Sequence, residues 1–210
     1  GLLMGIVYNS SRHTADIDYT TTLEADPKLA QMLKEKLNKN LPAIANMLQH
    51  PDVICQVQSI ELKPSPDGFK GATGPALSIK VGYAERGTSQ EKRVKDGKGA
   101  KVLKIDVSFN EPVGSIQLIR LGNTANNIQA YSLYDIIAEK LRAILQQEKR
   151  NRIRRQDIYD LRLLIEKFLF NDEEKSRIFD LFIKKSIARE VHPTPHSMDA
   201  ENIKDRSRKE

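Results

Sequence analysis

At 210 residues, of which 39% are hydrophobic and 30% charged, the chain is long enough for one large domain or two small ones with a proper core. No apolar run approaches the roughly 20 residues of a membrane span, and a single cysteine, Cys55, excludes an internal disulfide and suits a reducing cytoplasm. The net charge of +6, from 34 Lys and Arg against 28 Asp and Glu, is compatible with a polyanionic partner.

The chain opens Gly1-Leu2-Leu3-Met4-Gly5, with neither an initiator methionine nor a basic leader. It reads as a chain whose true start lies upstream, not as a signal peptide. Residues 2–9 are apolar and end at a turn signal, as the tail of a helix would. The next segment, Arg12-His13-Thr14-Ala15-Asp16-Ile17-Asp18-Tyr19, reads as a short strand. From Pro27 to about Gln49 the apolar spacing is helical, with Leu29, Met32, Leu33 and Leu37 on one stripe. Asp26 is the expected N-cap and Pro27 the first helical residue. Asn40 and Pro42 predict a break before a second short helix carrying Ile44, Met47 and Leu48.

Four strand patterns follow. Val53–Lys63 is β-rich and ends at the Pro64-Ser65-Pro66-Asp67-Gly68 turn. Leu77, Ile79, Val81 and Tyr83 alternate with Ser78, Lys80 and Gly82. After a basic, glycine-containing loop, Leu103, Ile105, Val107 and Phe109 alternate with Lys104, Asp106 and Ser108; Ile116–Leu121 is the fourth. Adjacent strands of this kind favour an antiparallel or mixed sheet. From Ser132 the pattern is helical to the end: a capping-box-like start at Ser132–Asp135, then helices carrying Ile136 to Leu145, Ile158 to Phe168, and Ile178 to Ile187. The last opens at Asn171 or Asp172, and residues after His196 form an ordered fragment or a frayed tail. The expected class is α+β: an α/β core over residues 1–130, with a mixed sheet and flanking helices, followed by a helical subdomain over 131–210.

On a strand, residues i and i+2 share a face, so Asp16 and Asp18 project together while Ile17 turns into the core. Like charges that close repel, and a divalent cation between them removes that cost; carboxylate oxygens are what Mg²⁺ selects. An arbitrary Asp-x-Asp is more often a solvated pair. Here the third strand adds Asp106 on its polar face with Lys104 and Ser108, and strands disfavour Asp. A third carboxylate would complete a metal site for phosphoryl chemistry, in which cations stabilise the attacking and leaving oxygens. In the helical half, Lys140 lies one position from the Ile137/Leu141 stripe. Its stem can run along the core and carry an ammonium to a triphosphate; the simpler alternative is a surface lysine paired with a carboxylate. Asp157 and Asp160, three apart, share a helix face.

Two basic clusters stand out: Lys92, Arg93, Lys95, Lys98 and Lys101, and the denser Lys149, Arg150, Arg152, Arg154 and Arg155. Either is a solvated surface or a site for a polyanion. Four scattered histidines and one cysteine give no metal-finger spacing and no nucleophile elbow.

Taken as a set, Gly1…Arg12-x-Thr14-x-Asp16-x-Asp18, Asp106 in a strand, Glu139-Lys140-x-x-Ala143 and Arg155-x-Asp157-x-x-Asp160-Leu161 resemble the AbiEii/AbiGii-type toxins of the nucleotidyltransferase superfamily, in order over residues 1–165. The resemblance implies a nucleotidyltransferase-like fold and transfer of a nucleoside monophosphate from an NTP to RNA, such as a tRNA 3′ end, or to protein. It implies Mg²⁺ or Mn²⁺ at Asp16, Asp18 and Asp106, with Asp106 activating the acceptor hydroxyl. Nucleotide contacts fall to Gly1, Arg12, Thr14 and Lys140, and the acid of the last motif to Asp157, with Asp160 as the alternative. Arg150, Arg152, Arg154 and Arg155 would track an RNA backbone. A cognate antitoxin, a cytoplasmic site of action and no membrane partner complete the expectation. Two other readings compete: a catalytically degenerate module that binds nucleotide or a partner without turnover, and a nuclease using the same acids.

Overall fold

The computed structural model describes residues 2–10, 14, 16–120, 127–147, 149–199 and 201–208. In chain order the elements are α1 (Leu2–Ile6), β1 (Asp16–Thr20), α2 (Lys28–Met47), β2 (Val53–Lys63), α3 (Pro66–Phe69), β3 (Ala76–Glu85), α4 (Ser89–Lys95), β4 (Val102–Ser108), β5 (Ile116–Arg120), β6 (Asn127–Tyr131), α5 (Leu133–Leu145), α6 (Arg155–Lys167), α7 (Asp172–Ile187) and, after a 3₁₀ turn at Ser197–Asp199, α8 (Glu201–Arg208). The class is α+β, as expected. The chain groups into two compact units: Gly1–Leu2 with His13–Glu111, and Leu3–Arg12 with Pro112–Glu210. No helix among the described residues is long and apolar enough to cross a membrane.

The first unit is built on a mixed sheet of order β1-β4-β3-β2, in which β1 runs parallel to β4 and the other pairs are antiparallel. One face is apolar. Leu77, Ile79 and Val81 of β3, Ile105 and Val107 of β4, and Val57, Ile60 and Leu62 of β2 pack with Leu29, Leu33, Leu37 and Leu41 of α2. Phe69 and Phe109 meet edge to face at 5.6 Å in the same cluster. Leu103, at the start of β4, stays exposed and does not join the core.

Helix α2 departs from the expected break: it runs unbroken through Pro42. Proline removes one backbone hydrogen bond, but the buried stripe continues from Leu37 to Leu41. Asn38 Oδ1 also accepts from Val57 N at 2.8 Å, where the β2 register shifts. Packing on the sheet overrides the local preference. The N-cap is Pro27, one residue later than expected, and Asp26 Oδ1 still accepts from Lys28 N at 3.0 Å. That bond, with Lys70 and Lys28 nearby, holds the Asp26 carboxyl below its usual range.

The basic loop also contains more structure than its charges suggest. Helix α4 forms there because Val94 packs fully buried against Ile54 and Ala84. Gln58, the extra residue where the register shifts between Val57 and Ser59, donates to Val94 O at 3.0 Å and accepts from Gly99 N at 2.8 Å. Gly82 makes room for it: a Cβ there would lie 2.7 Å from Gln58 Cδ.

In the second unit, Met4 and Tyr8 join Ile136, Ile137 and Ile144 of α5, Leu161 and Leu164 of α6, Ile178 of α7 and Ile203 of α8 in one core. Within the polar C-terminal stretch, α8 (Glu201–Arg208) is anchored by Ile203. Helix α5 is capped by Ser132, which accepts from Asp135 N at 3.2 Å, and α7 by an Asn171/Glu174 capping box. Strand β6, absent from the sequence reading, pairs antiparallel with β5, Ile119 opposite Ile128.

The β5–β6 hairpin, which the sequence reading assigns to residues 1–130, groups with the helices for a reason that can be traced. Asp135 and Lys185 form a fully buried ion pair, Nζ to Oδ1 3.4 Å. The Asp135 carboxylate accepts from Gly114 N, Ser115 N and Ser132 Oγ, each at 2.8 Å. Lys185 Nζ donates to Pro112 O at 2.6 Å and lies 4.5 Å from the centre of the Tyr131 ring. The segment entering the hairpin is thus tied to α5 and α7. A Cβ at Gly114 would lie 2.2 Å from Leu181 Cδ2 and 3.1 Å from Asp135 Oδ2. Gly114→Ala is therefore expected to cost about 1–3 kcal/mol, the usual penalty for overpacking, read as a lower midpoint in denaturant unfolding.

Candidate active site

The parallel β1–β4 ladder decides where the three acids stand. Its register pairs Asp18 with Asp106 and Asp16 with Lys104. The side-chain period of a strand then puts Asp16, Asp18 and Asp106 on one face of the sheet, opposite the face that carries Ile105, Val107 and the α2 packing. Neighbouring strands lie about 4.8 Å apart, so acids separated by nearly ninety positions in sequence become cross-strand neighbours. Asp18 is exposed; Asp16 and Asp106 are half-buried. Thr14 Oγ1 donates to the Asp16 backbone carbonyl at 3.0 Å and lies 3.2 Å from its Oδ1, steadying the strand entry. Oδ1 of Asp106 is buried and has no hydrogen-bond partner among the described residues. Gly1 and Arg12 lie outside the described residues.

The antiparallel β3–β4 ladder adds a residue that the sequence reading passed over. Ser78 pairs with Asp106 on the same face, is 1% exposed, and its hydroxyl has no partner among the described residues. The signal was present in the alternation of β3, but serine on a polar face is too common to single out.

In the second unit, Lys140 of α5 reaches two carboxylates of α6. Its Nζ lies 3.0 Å from Asp157 Oδ1 and 2.6 Å from Asp160 Oδ2. Asp160 is fully buried and Lys140 only 7% exposed. Asp157 also faces Arg154, Nη1 to Oδ2 3.5 Å. The helical spacing that predicted a shared face for the two acids is met, and the Lys140 ammonium, expected either at a triphosphate or paired with a carboxylate, is paired with both of them. Glu139 pairs with Arg142 one turn on.

Around the α5–α6 turn, arginines gather. Burial, and then repulsion from Arg142, Arg189, Arg152 and Arg154, pulls the Arg150 guanidinium below its ordinary range. Four other guanidinium groups are therefore close enough to be felt, and two of them, Arg142 and Arg189, come from outside the cluster visible in sequence. Arg152 and Arg155 are exposed, with Arg155 opening α6.

Compared with models of known families, residues 1–210 match the nucleotidyl transferase AbiEii toxin of type IV toxin–antitoxin systems. The chain belongs to the AbiEii family. A comparison with curated proteins gave no match.

For an AbiEii chain the question is whether these acids suit a divalent cation. Among the described residues no three Asp, Glu, His or Cys side chains converge into a cage that could hold one. Like charges repel, which favours splayed rotamers over a converged set. The donor chemistry nonetheless fits: three hard carboxylates share a face, and one buried carboxylate oxygen, Oδ1 of Asp106, lacks a partner among the described residues.

Proposed function

We propose that this AbiEii protein is a metal-dependent nucleotidyltransferase toxin that moves a nucleoside monophosphate from an NTP to RNA, such as a tRNA 3′ end, or to a protein side chain. The observation that carries the reading is the β1–β4 register, which sets Asp18 beside Asp106 with Asp16 on the same face. In the transfer, the acceptor oxygen bonds to the α-phosphorus, the bond from that phosphorus to the bridging oxygen breaks, and pyrophosphate leaves. Mg²⁺ or Mn²⁺ held by Asp16, Asp18 and Asp106 supplies charge stabilisation for the attacking and leaving oxygens. Asp106, on the strand beside the pair, takes the acceptor proton. Thr14 and Lys140 hold the nucleotide, with Gly1 and Arg12 before them, and Asp157 orients the Lys140 ammonium. Arg150, Arg152, Arg154 and Arg155 track the phosphates of an RNA acceptor. The toxin acts in the cytoplasm under a cognate antitoxin.

A second reading, a degenerate module that binds nucleotide or a partner without turnover, draws on one observation: the Lys140 ammonium is already held by Asp157 and Asp160. Incubation with Mg²⁺, each labelled NTP in turn and total RNA separates the two. Label on RNA or protein is the expected result. NTP binding without label supports the degenerate module, and shortened RNA would indicate a nuclease.

A further inference from the structure

The face that carries the acids also carries a line of cations. Across β1, β4, β3 and β2 the register runs Asp18, Asp106, Ser78, Glu61 in one row and Asp16, Lys104, Lys80, Ser59 in the next. Cross-strand neighbours sit about 5 Å apart at Cβ. Lys104 therefore stands beside Asp16 across the ladder and on the same side of β4 as Asp106. Its side chain is exposed and, among the described residues, makes no ion pair. Lys80 holds Glu61 at 3.1 Å. That bond, with the charges of Lys80, Lys63 and Lys104, draws the Glu61 carboxyl below its usual range. Lys104 and Lys80 thus stand side by side in the row next to the acids. Within the rows, the Ser78 hydroxyl is a buried donor with no acceptor among the described residues, a group that a bound oxygen would satisfy.

We propose that Lys104, flanked by Lys80 and the Ser78 hydroxyl, forms a subsite for the β- and γ-phosphates of a nucleoside triphosphate; this rests on the nucleotidyltransferase reading above. A triphosphate concentrates its charge on adjacent phosphorus centres and suits a compact set of ammonium groups acting as point charges. A nucleic acid strand distributes its charge along its length and suits the arginine-bearing turn of the second unit. Lys140 has Asp157 and Asp160 on its ammonium, whereas Lys104 makes no ion pair among the described residues. Lys104, beside Asp16 across the ladder, is placed to meet the phosphates leaving as pyrophosphate.

The test uses the full chain with Mg²⁺ and a non-hydrolysable NTP analogue, its Kd measured by calorimetry for wild type, Lys104→Ala, Lys104→Glu and Lys104→Arg. Losing a charge-assisted contact is expected to weaken binding about tenfold to a hundredfold in Lys104→Ala, further in Lys104→Glu, with Lys104→Arg recovering most of it. In transfer assays the KM for NTP should rise while the KM for the acceptor stays put. An unchanged Kd in Lys104→Ala, or a change confined to the acceptor KM, overturns the subsite and leaves the nucleotidyltransferase reading intact. Wild-type binding that is weakened by Lys104→Ala but never yields transfer supports the subsite and sinks the transfer reading instead. No NTP binding by the wild type overturns both.

Discussion

Asp18→Ala and Asp106→Asn are each expected to lower nucleotidyl transfer by about a thousandfold, the scale on which removing a preorganised electrostatic group from a reacting centre is felt. The same substitutions should leave the thermal midpoint unchanged or slightly raised when measured in chelator. Asp18 is exposed on the edge strand β1 and Asp106 lies on the polar face of β4, so neither removes apolar packing. Deleting one of several carboxylates on a shared face relieves repulsion. Activity lost without stability lost is the signature of acids kept for chemistry. Asp16 is a less clean probe, because Thr14 bonds both its carbonyl and its carboxylate. Transfer above a tenth of wild type in Asp106→Asn would show that the acid on β4 takes no part in the reaction.

What the sequence made legible follows from period. The two-residue repeat of β4 put Asp106 opposite Ile105 and Val107, and that is where it stands. The three- and four-residue spacings of α5 and α6 gave the buried stripes and set Asp157 and Asp160 on one face. Strand pairing is a different matter. Nothing local says that β1 runs parallel to β4 and not beside β2, so the meeting of Asp18 with Asp106 was an inference from function that only the ladder register supplies. The same gap hid the cation row, since Lys80 and Lys104 are unremarkable until their strands are aligned. Pro42 misled for the opposite reason: its local cost is real, but Leu37, Leu41 and the Asn38–Val57 bond act over a longer range. Helix α4 was missed because its single buried anchor, Val94, sits among five basic residues whose charge dominates any local reading.

Lys140→Met is expected to do what the acid substitutions do not: unfold the protein more easily. Asp160 is fully buried and its carboxylate lies 2.6 Å from Lys140 Nζ. Removing the lysine breaks a buried ion pair from one side, a change that costs about 3–5 kcal/mol, or a fall in midpoint on the order of 10 °C. Asp157 suffers less, since it keeps Arg154 at 3.5 Å. Loss of transfer in Lys140→Met would therefore prove little by itself, because a destabilised fold gives the same result. The informative protein is the double variant Lys140→Met with Asp160→Leu. Replacing a whole buried pair by apolar groups is often neutral, so its midpoint should return most of the way to wild type. If Lys140 serves the nucleotide, the restored fold stays inactive and its Kd for NTP stays raised. Transfer that returns together with stability would confine Lys140 to holding α5 against α6, and would leave the lysines of the sheet face to carry the phosphates.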